Sequence, residues 1–179
     1  MTMPPLPSPE IDLAWEDVQK AKTNNEKGLA LEKLVSLLFG SVPGTRVGRQ
    51  RVPNAFETEE VDLLLWNEKL QDGFYFMPHL IPVECKNWTN PVGSKDVDYF
   101  CGKLELCRYE YGVLIAANGI SGDKDELTDA QFIVASHLAK GIRVLVIKLD
   151  DLKNVNSTES LVELVIQKTM DLHSRGFTA

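Results

Sequence analysis

The chain of 179 residues is 44% hydrophobic and 25% charged, the balance of one folded domain with a substantial core, which excludes a disordered tail. A formal net charge of −7 excludes a protein that gathers nucleic acid by bulk attraction, so any polyanion site has to be a local arrangement of basic groups. No apolar run reaches the length of a membrane span, and residues 1–10 carry neither the basic region nor the apolar stretch of a secretory signal, so a cytoplasmic protein without a membrane partner is expected.

In chain order, Ser8, Pro9 and Glu10 make a helix start, with Ser8 as the cap and Pro9 at the first helical position. This helix reads as an N-terminal extension spanning residues 1–25. A second helix, from about Asn25, carries Leu31, Leu34, Val35 and Leu38 at offsets of three, four and seven, the stripe of a helix packed on a sheet; Gly40 and the pair Pro43-Gly44 stop it. Three strand-like runs follow at residues 45–52, 60–66 and 80–86, the last two joined by a hairpin connection with an apolar tip. A helix over 95–108, a strand over 111–117, a helix over 125–141, a strand over 142–149 and an amphipathic helix over 158–172 complete the chain. The expected class for residues 26–179 is α/β in the order α-β-β-β-α-β-α-β-α, with antiparallel pairing first and crossovers later, giving a central mixed β-sheet flanked by helices. Cys85, Cys101 and Cys107 are a sparse set without Cys-x-x-Cys spacing and read as reduced core residues.

Chemistry gathers on the third strand, Ile81-Pro82-Val83-Glu84-Cys85-Lys86, an apolar run that ends by placing a carboxylate and an ammonium two residues apart. Glu84 and Lys86 share one face, about 7 Å apart, while Cys85 turns to the other. On the second strand Asp62 intrudes among apolar residues and shares a face with Leu64 and Trp66, so it converges on Glu84 and Lys86 if the two strands pair in the right register. Phosphodiester hydrolysis wants that set. Two carboxylates hold a hard divalent cation such as Mg²⁺, which lowers the pKa of bound water and neutralises charge, and a lysine orients or deprotonates the attacking water or stabilises developing charge. Glu32, at the margin of the second helix's buried stripe, extends the acidic cluster from that helix. The bland alternative, a buried Asp62–Lys86 ion pair with Glu84 as a strand-end charge, is a poor way to build a core, because such pairs add little net stability.

These residues carry a resemblance. Gly28-x-x-x-Glu32 on a helix, Val61-Asp62 on a strand, Val83-Glu84-Cys85-Lys86 on the next, and then a helix and the run 112–122 together resemble the PD-(D/E)xK nuclease superfamily, and within it the Mrr-like restriction endonuclease catalytic domains, over about residues 26–152. The resemblance implies a restriction-endonuclease-like fold that cuts DNA with Mg²⁺, or Mn²⁺ in its place. Asp62 and Glu84 would ligate the metal, with the backbone carbonyl of Cys85 as a further ligand; Lys86 would serve the water and Glu32 would support the metal site. Val61 stands where the superfamily's name has proline.

Other basic and polar residues are candidates for nucleic-acid contact. Arg46, Arg49 and Arg51 crowd one strand, where solvation of an exposed edge explains them as well as phosphate contact does. Asn87 follows Lys86 directly, and Ser94 and Lys95 open a helix whose free N–H groups suit a phosphate. His79 and His137 lack a second histidine nearby, and Asp151-Leu152-Lys153 reads as a solvated turn. The leading expectation is a Mg²⁺-dependent DNA endonuclease of a prokaryotic restriction or anti-phage defence system, working as a homodimer or with a larger recognition subunit. Its rivals are a catalytically silent subunit that binds nucleic acid or a partner with the same fold, and a structure-selective nuclease such as a junction resolvase.

Overall fold

The computed structural model describes residues 6, 8–53, 60–123 and 128–176, without the side chains of residues 8, 49–53 and 60. The elements in chain order are α1 (Ser8–Lys20), α2 (Asn24–Gly40), β1 (Thr45–Pro53), β2 (Glu60–Asn67), β3 (Leu80–Lys86), α3 (Ser94–Leu106), β4 (Tyr111–Ala116), α4 (Asp129–Ala139), β5 (Arg143–Lys148), α5 (Leu149–Lys153) and α6 (Thr158–Arg175). The five strands form one mixed sheet in sequential order: β1-β2-β3 antiparallel, β3-β4-β5 parallel. Antiparallel neighbours need only short connections, whereas each parallel step needs a crossover, here supplied by α3 and α4. The expected α/β class and mixed sheet are therefore what the chain forms. The side chain of the expected cap Ser8 and residues 125–127 of the expected 125–141 helix lie outside what is described.

The helix starts have local causes. Thr23 accepts a hydrogen bond from the Glu26 amide while the Glu26 carboxylate accepts from the Thr23 amide, a reciprocal cap that opens α2. Leu31, Leu34, Val35 and Leu38 are fully buried, as the stripe required. α1 packs on α2, and its Ile11, Ala14 and Val18 are buried in the same apolar cluster as the sheet. On β2, Val61, Leu63 and Leu65 are buried while Asp62 and Leu64 are half-buried and Trp66 is exposed, the alternation of a strand with one face in the core. On β4, a side chain at Gly112 would lie 2.6 Å from Leu104 and 2.9 Å from Phe100, so the glycine lets α3 press closely onto the sheet.

Three details add to or depart from the sequence reading. The apolar tip of the connection between β2 and β3 is divided: Phe74 and Met77 are fully buried and Tyr75 is exposed, and the Asn67 side chain donates to the Phe74 carbonyl at 2.7 Å, clamping the loop inward. Residues 149–153 form the short helix α5 rather than a solvated turn, and Asp151 takes the amide of Lys148 at 2.8 Å and the ammonium of Lys168 at 2.8 Å. Of the three cysteines, Cys85 and Cys101 are buried and Cys107 is exposed; none is in a disulfide. Among the described residues no helix is long and apolar enough to cross a membrane.

Candidate active site

The site forms where β2 and β3 part. Their ladder runs from Trp66↔Leu80 to Leu63↔Val83, which sets Asp62 opposite Glu84 one step further along, on the face away from the buried Leu63 and Val83. At that step the Cys85 amide donates to the Asp62 carboxylate, Oδ2 at 2.7 Å, so a side chain occupies the place of a ladder partner. β3 meanwhile stays laddered to β4 through Lys86↔Ala116. Glu84 and Lys86 thus sit at the carboxyl end of a parallel strand, where open α/β sheets hold their ligands.

Glu84 is only 4% exposed. A carboxylate so buried needs partners, and among the described residues it meets Lys86 Nζ at 2.9 Å from Oε1 and Lys103 Nζ of α3 at 3.2 Å from Oε2. Burial first, and then the charge of Glu84, push the Asp62 carboxyl up to about 6; the Cys85 amide opposes that shift, Glu32 adds to it, and Lys86 counters it. For Lys86, burial works downward, but the charge and hydrogen bond of Glu84, with Asp62 and Asp96 behind them, outweigh it and raise the pKa overall. Burial drives the Cys85 thiol well above its ordinary value, so this residue offers a metal its backbone and not a thiolate.

Asp62, Glu84 and Lys86 are therefore brought together. Glu32 acts on Asp62 and Cys85 through its charge, yet among the described residues no three His, Cys, Asp or Glu side chains gather closely enough to hold an ion by themselves. That donor set still fits a hard divalent cation. Two opposed carboxylates, one of them resisting ionisation, would gain from a nearby dication, and an ion of this kind needs only one or two carboxylates when water and substrate phosphate fill its other positions.

The remaining candidates are distributed around this centre. The Asn87 side chain donates to the Lys27 carbonyl at 3.0 Å, tying the end of β3 to α2. Trp88 is 41% exposed, and its ring centroid lies 5.4 Å from the Lys86 ammonium. Ser94 and Lys95 open α3, whose Asp96 acts on Lys86 by charge, so that helix start lies beside the site. On β1 a one-residue bulge at Gly48 shifts the register between Val47↔Leu65 and Arg49↔Leu64. Arg46 pairs with Trp66, Arg49 with Leu64, and Arg51 falls between Gln50↔Leu63 and Val52↔Val61, level with Asp62. Without the bulge, Arg46 would alternate in face with Arg49 and Arg51; with it, all three positions share the face of Asp62. Arg46 forms an ion pair with Glu68; the side chains of Arg49 and Arg51 lie outside the described residues. His79 stacks on Trp66 with ring centroids 5.3 Å apart, and His137 binds Asp98 at 3.1 Å, so neither joins the site.

Sequence reasoning missed Lys103. Its signal was its place at the edge of the α3 stripe Val97, Phe100, Cys101 and Leu104, the same marginal position that singled out Glu32 on α2. A family model for the catalytic domain of Mrr, described as restriction endonuclease, matches residues 24–152, which run from the start of α2 through β5 into α5. The chain belongs to the restriction endonuclease family. Its restriction-endonuclease-type nuclease domain contains every residue of the site just described, Lys103 included. The family typically uses a divalent metal, and a nuclease domain of this type implies DNA as substrate. A search of the curated proteins finds no match.

Proposed function

We propose that this restriction-endonuclease-family protein is a Mg²⁺-dependent endodeoxyribonuclease that hydrolyses phosphodiester bonds at the parting of β2 and β3. The observation that carries the reading is the opposed pair Asp62–Glu84 with Lys86 on Glu84: two carboxylates forced together at a strand end, one with its carboxyl pushed up to about 6. Opposed carboxylates are a cost to the metal-free fold, and a cation site gives that cost a use.

Asp62 and Glu84 would hold the ion, with the Cys85 carbonyl as a further ligand and Glu32 supporting from α2. When bound, Mg²⁺ supplies charge neutralisation at the phosphate and a more acidic water. Lys86 orients the attacking water and meets the negative charge that grows on the phosphate. Cys85 fixes Asp62 by donating its amide to it. Arg46, Arg49 and Arg51, whose backbone positions share the face of Asp62, are the basic residues assigned to the DNA backbone, Arg46 exchanging Glu68 for phosphate; Ser94 and Lys95 offer the start of α3, and Asn87 ties the end of β3 to α2. One such centre cuts one strand, so double-strand cleavage requires a homodimer or a larger recognition subunit, with α1 around Trp15 and α6 as contact surfaces. The setting that suits this activity is a cytoplasmic restriction or anti-phage defence system.

Incubation of supercoiled plasmid with the protein in Mg²⁺ or in EDTA, with Lys86→Ala beside it, tests the reading. Nicking or linearisation in Mg²⁺ alone, lost in Lys86→Ala, is the expected result. Wild-type cleavage by the variant would reject the site.

A further inference from the structure

Lys103 is 6% exposed on a helix that otherwise turns apolar residues inward. Burying an ammonium is costly unless a partner meets it. The partner is Glu84, whose Oε2 lies 3.2 Å and Oε1 3.4 Å from Nζ, and the Tyr99 ring centroid lies 5.0 Å from the same nitrogen. Lys86 reaches Oε1 of the same carboxylate from β3. The two lysines differ in freedom: the Lys86 side chain keeps 25% of its surface in water and Lys103 only 7%, on a helix pressed onto β4 at Gly112.

We propose that Lys103 is a positioning residue for the reaction: it holds the Glu84 side chain in place from α3, so that Lys86 can leave Oε1 for the reacting water while the buried carboxylate keeps an ammonium beside it. Removing the only partner of a buried charge is strongly unfavourable, so a single lysine on Glu84 would be pinned there. A second ammonium, anchored from the helix, releases the first. Lys103 acts through Glu84 and touches neither water nor phosphate. The inference rests on the nuclease reading of Asp62, Glu84 and Lys86 and adds a division of labour between two lysines.

The test compares Lys103→Met and Lys103→Arg with Glu84→Gln, the Lys103→Met/Glu84→Gln double variant and Asp62→Ala. Three quantities are measured: the single-turnover cleavage rate in saturating Mg²⁺, duplex affinity in Ca²⁺, and the melting temperature of the metal-free protein. Lys103→Met should lose cleavage by about 10–100-fold, the usual cost of losing a residue that orients a metal ligand, with DNA affinity within about twofold of wild type. Lys103→Arg should restore most of the rate, a rescue that a purely packing role would not give. In metal-free buffer Lys103→Met should lower the melting temperature in the wild-type background and much less in the Glu84→Gln background. Should Lys103→Met not fold, the double variant still decides: recovery with Glu84→Gln supports the pairing, and failure to recover overturns it. Cleavage by Lys103→Met within about threefold of wild type, while Asp62→Ala is dead, would overturn the inference and leave the nuclease reading standing. Cleavage by Asp62→Ala would instead overturn that reading.

Discussion

Two carboxylate–lysine clusters close the carboxyl ends of β3 and β5, and they are built from similar parts. At β3, Glu84 meets Lys86 from the strand and the buried Lys103 from α3; at β5, Asp151 meets the buried Lys168 from α6, and Lys153, two residues on, repeats the acid-x-lysine spacing. The difference lies in what else the carboxylate faces. Asp151 caps α5 by taking the Lys148 amide, and the neighbouring Lys153 turns to Asp150 at 2.6 Å, so every charge there has a structural partner. Glu84 faces Asp62, a second carboxylate that burial and like charge hold reluctant to ionise. A lysine on a buried acid is thus ordinary architecture, and what distinguishes the β3 cluster is a second acid beside it whose carboxyl stays raised despite the Cys85 amide and Lys86.

Neutralising one acid in each cluster should separate the two most strongly. Asp62→Asn and Glu84→Gln should each lower plasmid cleavage by at least ~10³-fold, more than the 10–100-fold typical of residues that only support a ligand. Asp151→Asn should cleave within about threefold of wild type per folded molecule, measured by single-turnover assay. Equal losses in both clusters would erase the distinction.

Stability should show the reverse ranking. Lys168→Met strands a partly buried Asp151 carboxylate and should cost about 2–4 kcal/mol, at the low side for a broken buried pair because Asp151 keeps 25% of its side-chain surface in water. For a chain of this size that is a fall of roughly 5–12 °C in melting temperature. Asp62→Asn should hold or raise the melting temperature of the metal-free protein at about pH 8.

The sign follows from linkage. The Asp62 carboxyl is pushed up to about 6 in the folded protein against an ordinary 3.8, so between those values the folded state binds the proton more tightly than the unfolded state. Its contribution to stability is therefore complete below about pH 4 and lost as pH rises through about 6, on the order of 1–3 kcal/mol. Urea melts of wild type and Asp62→Asn across that range should diverge accordingly, with the variant flatter. The smallest effect belongs to the exposed pair: with side chains 57% and 81% in water, Lys153→Ala should change stability by no more than about 0.5 kcal/mol.

Much of this was legible in the sequence, for physical reasons that differ from residue to residue. The stripe Leu31, Leu34, Val35 and Leu38 and the intrusion of Asp62 into an apolar strand are local patterns, and they delivered α2, β2 and the convergence with Glu84. The family resemblance supplied the register that alternation alone left open. Lys103 escaped because a lysine at the edge of a helical stripe ordinarily extends its stem along the surface and its head into water; only the crossover that lays α3 over β4 reveals that this head reaches Glu84. The common face of Arg46, Arg49 and Arg51 was equally hidden, since it depends on a single bulge at Gly48, where a side chain would meet the Leu64 carbonyl at 3.1 Å. Asp151-x-Lys153 was read as solvated because its partner Lys168 lies on a helix that folds back from later in the chain.

On the proposed mechanism, Asp62 and Glu84 are held in opposition for a divalent cation to relieve. The direct measurement is the melting temperature at about pH 8 with and without Ca²⁺, for wild type, Asp62→Asn and Asp151→Asn. Ca²⁺ should raise the melting temperature of wild type and of Asp151→Asn and leave Asp62→Asn unmoved, since a ligand that binds only the folded state stabilises it by mass action. A Ca²⁺ response that persists in Asp62→Asn, or is absent from wild type, would contradict the claim.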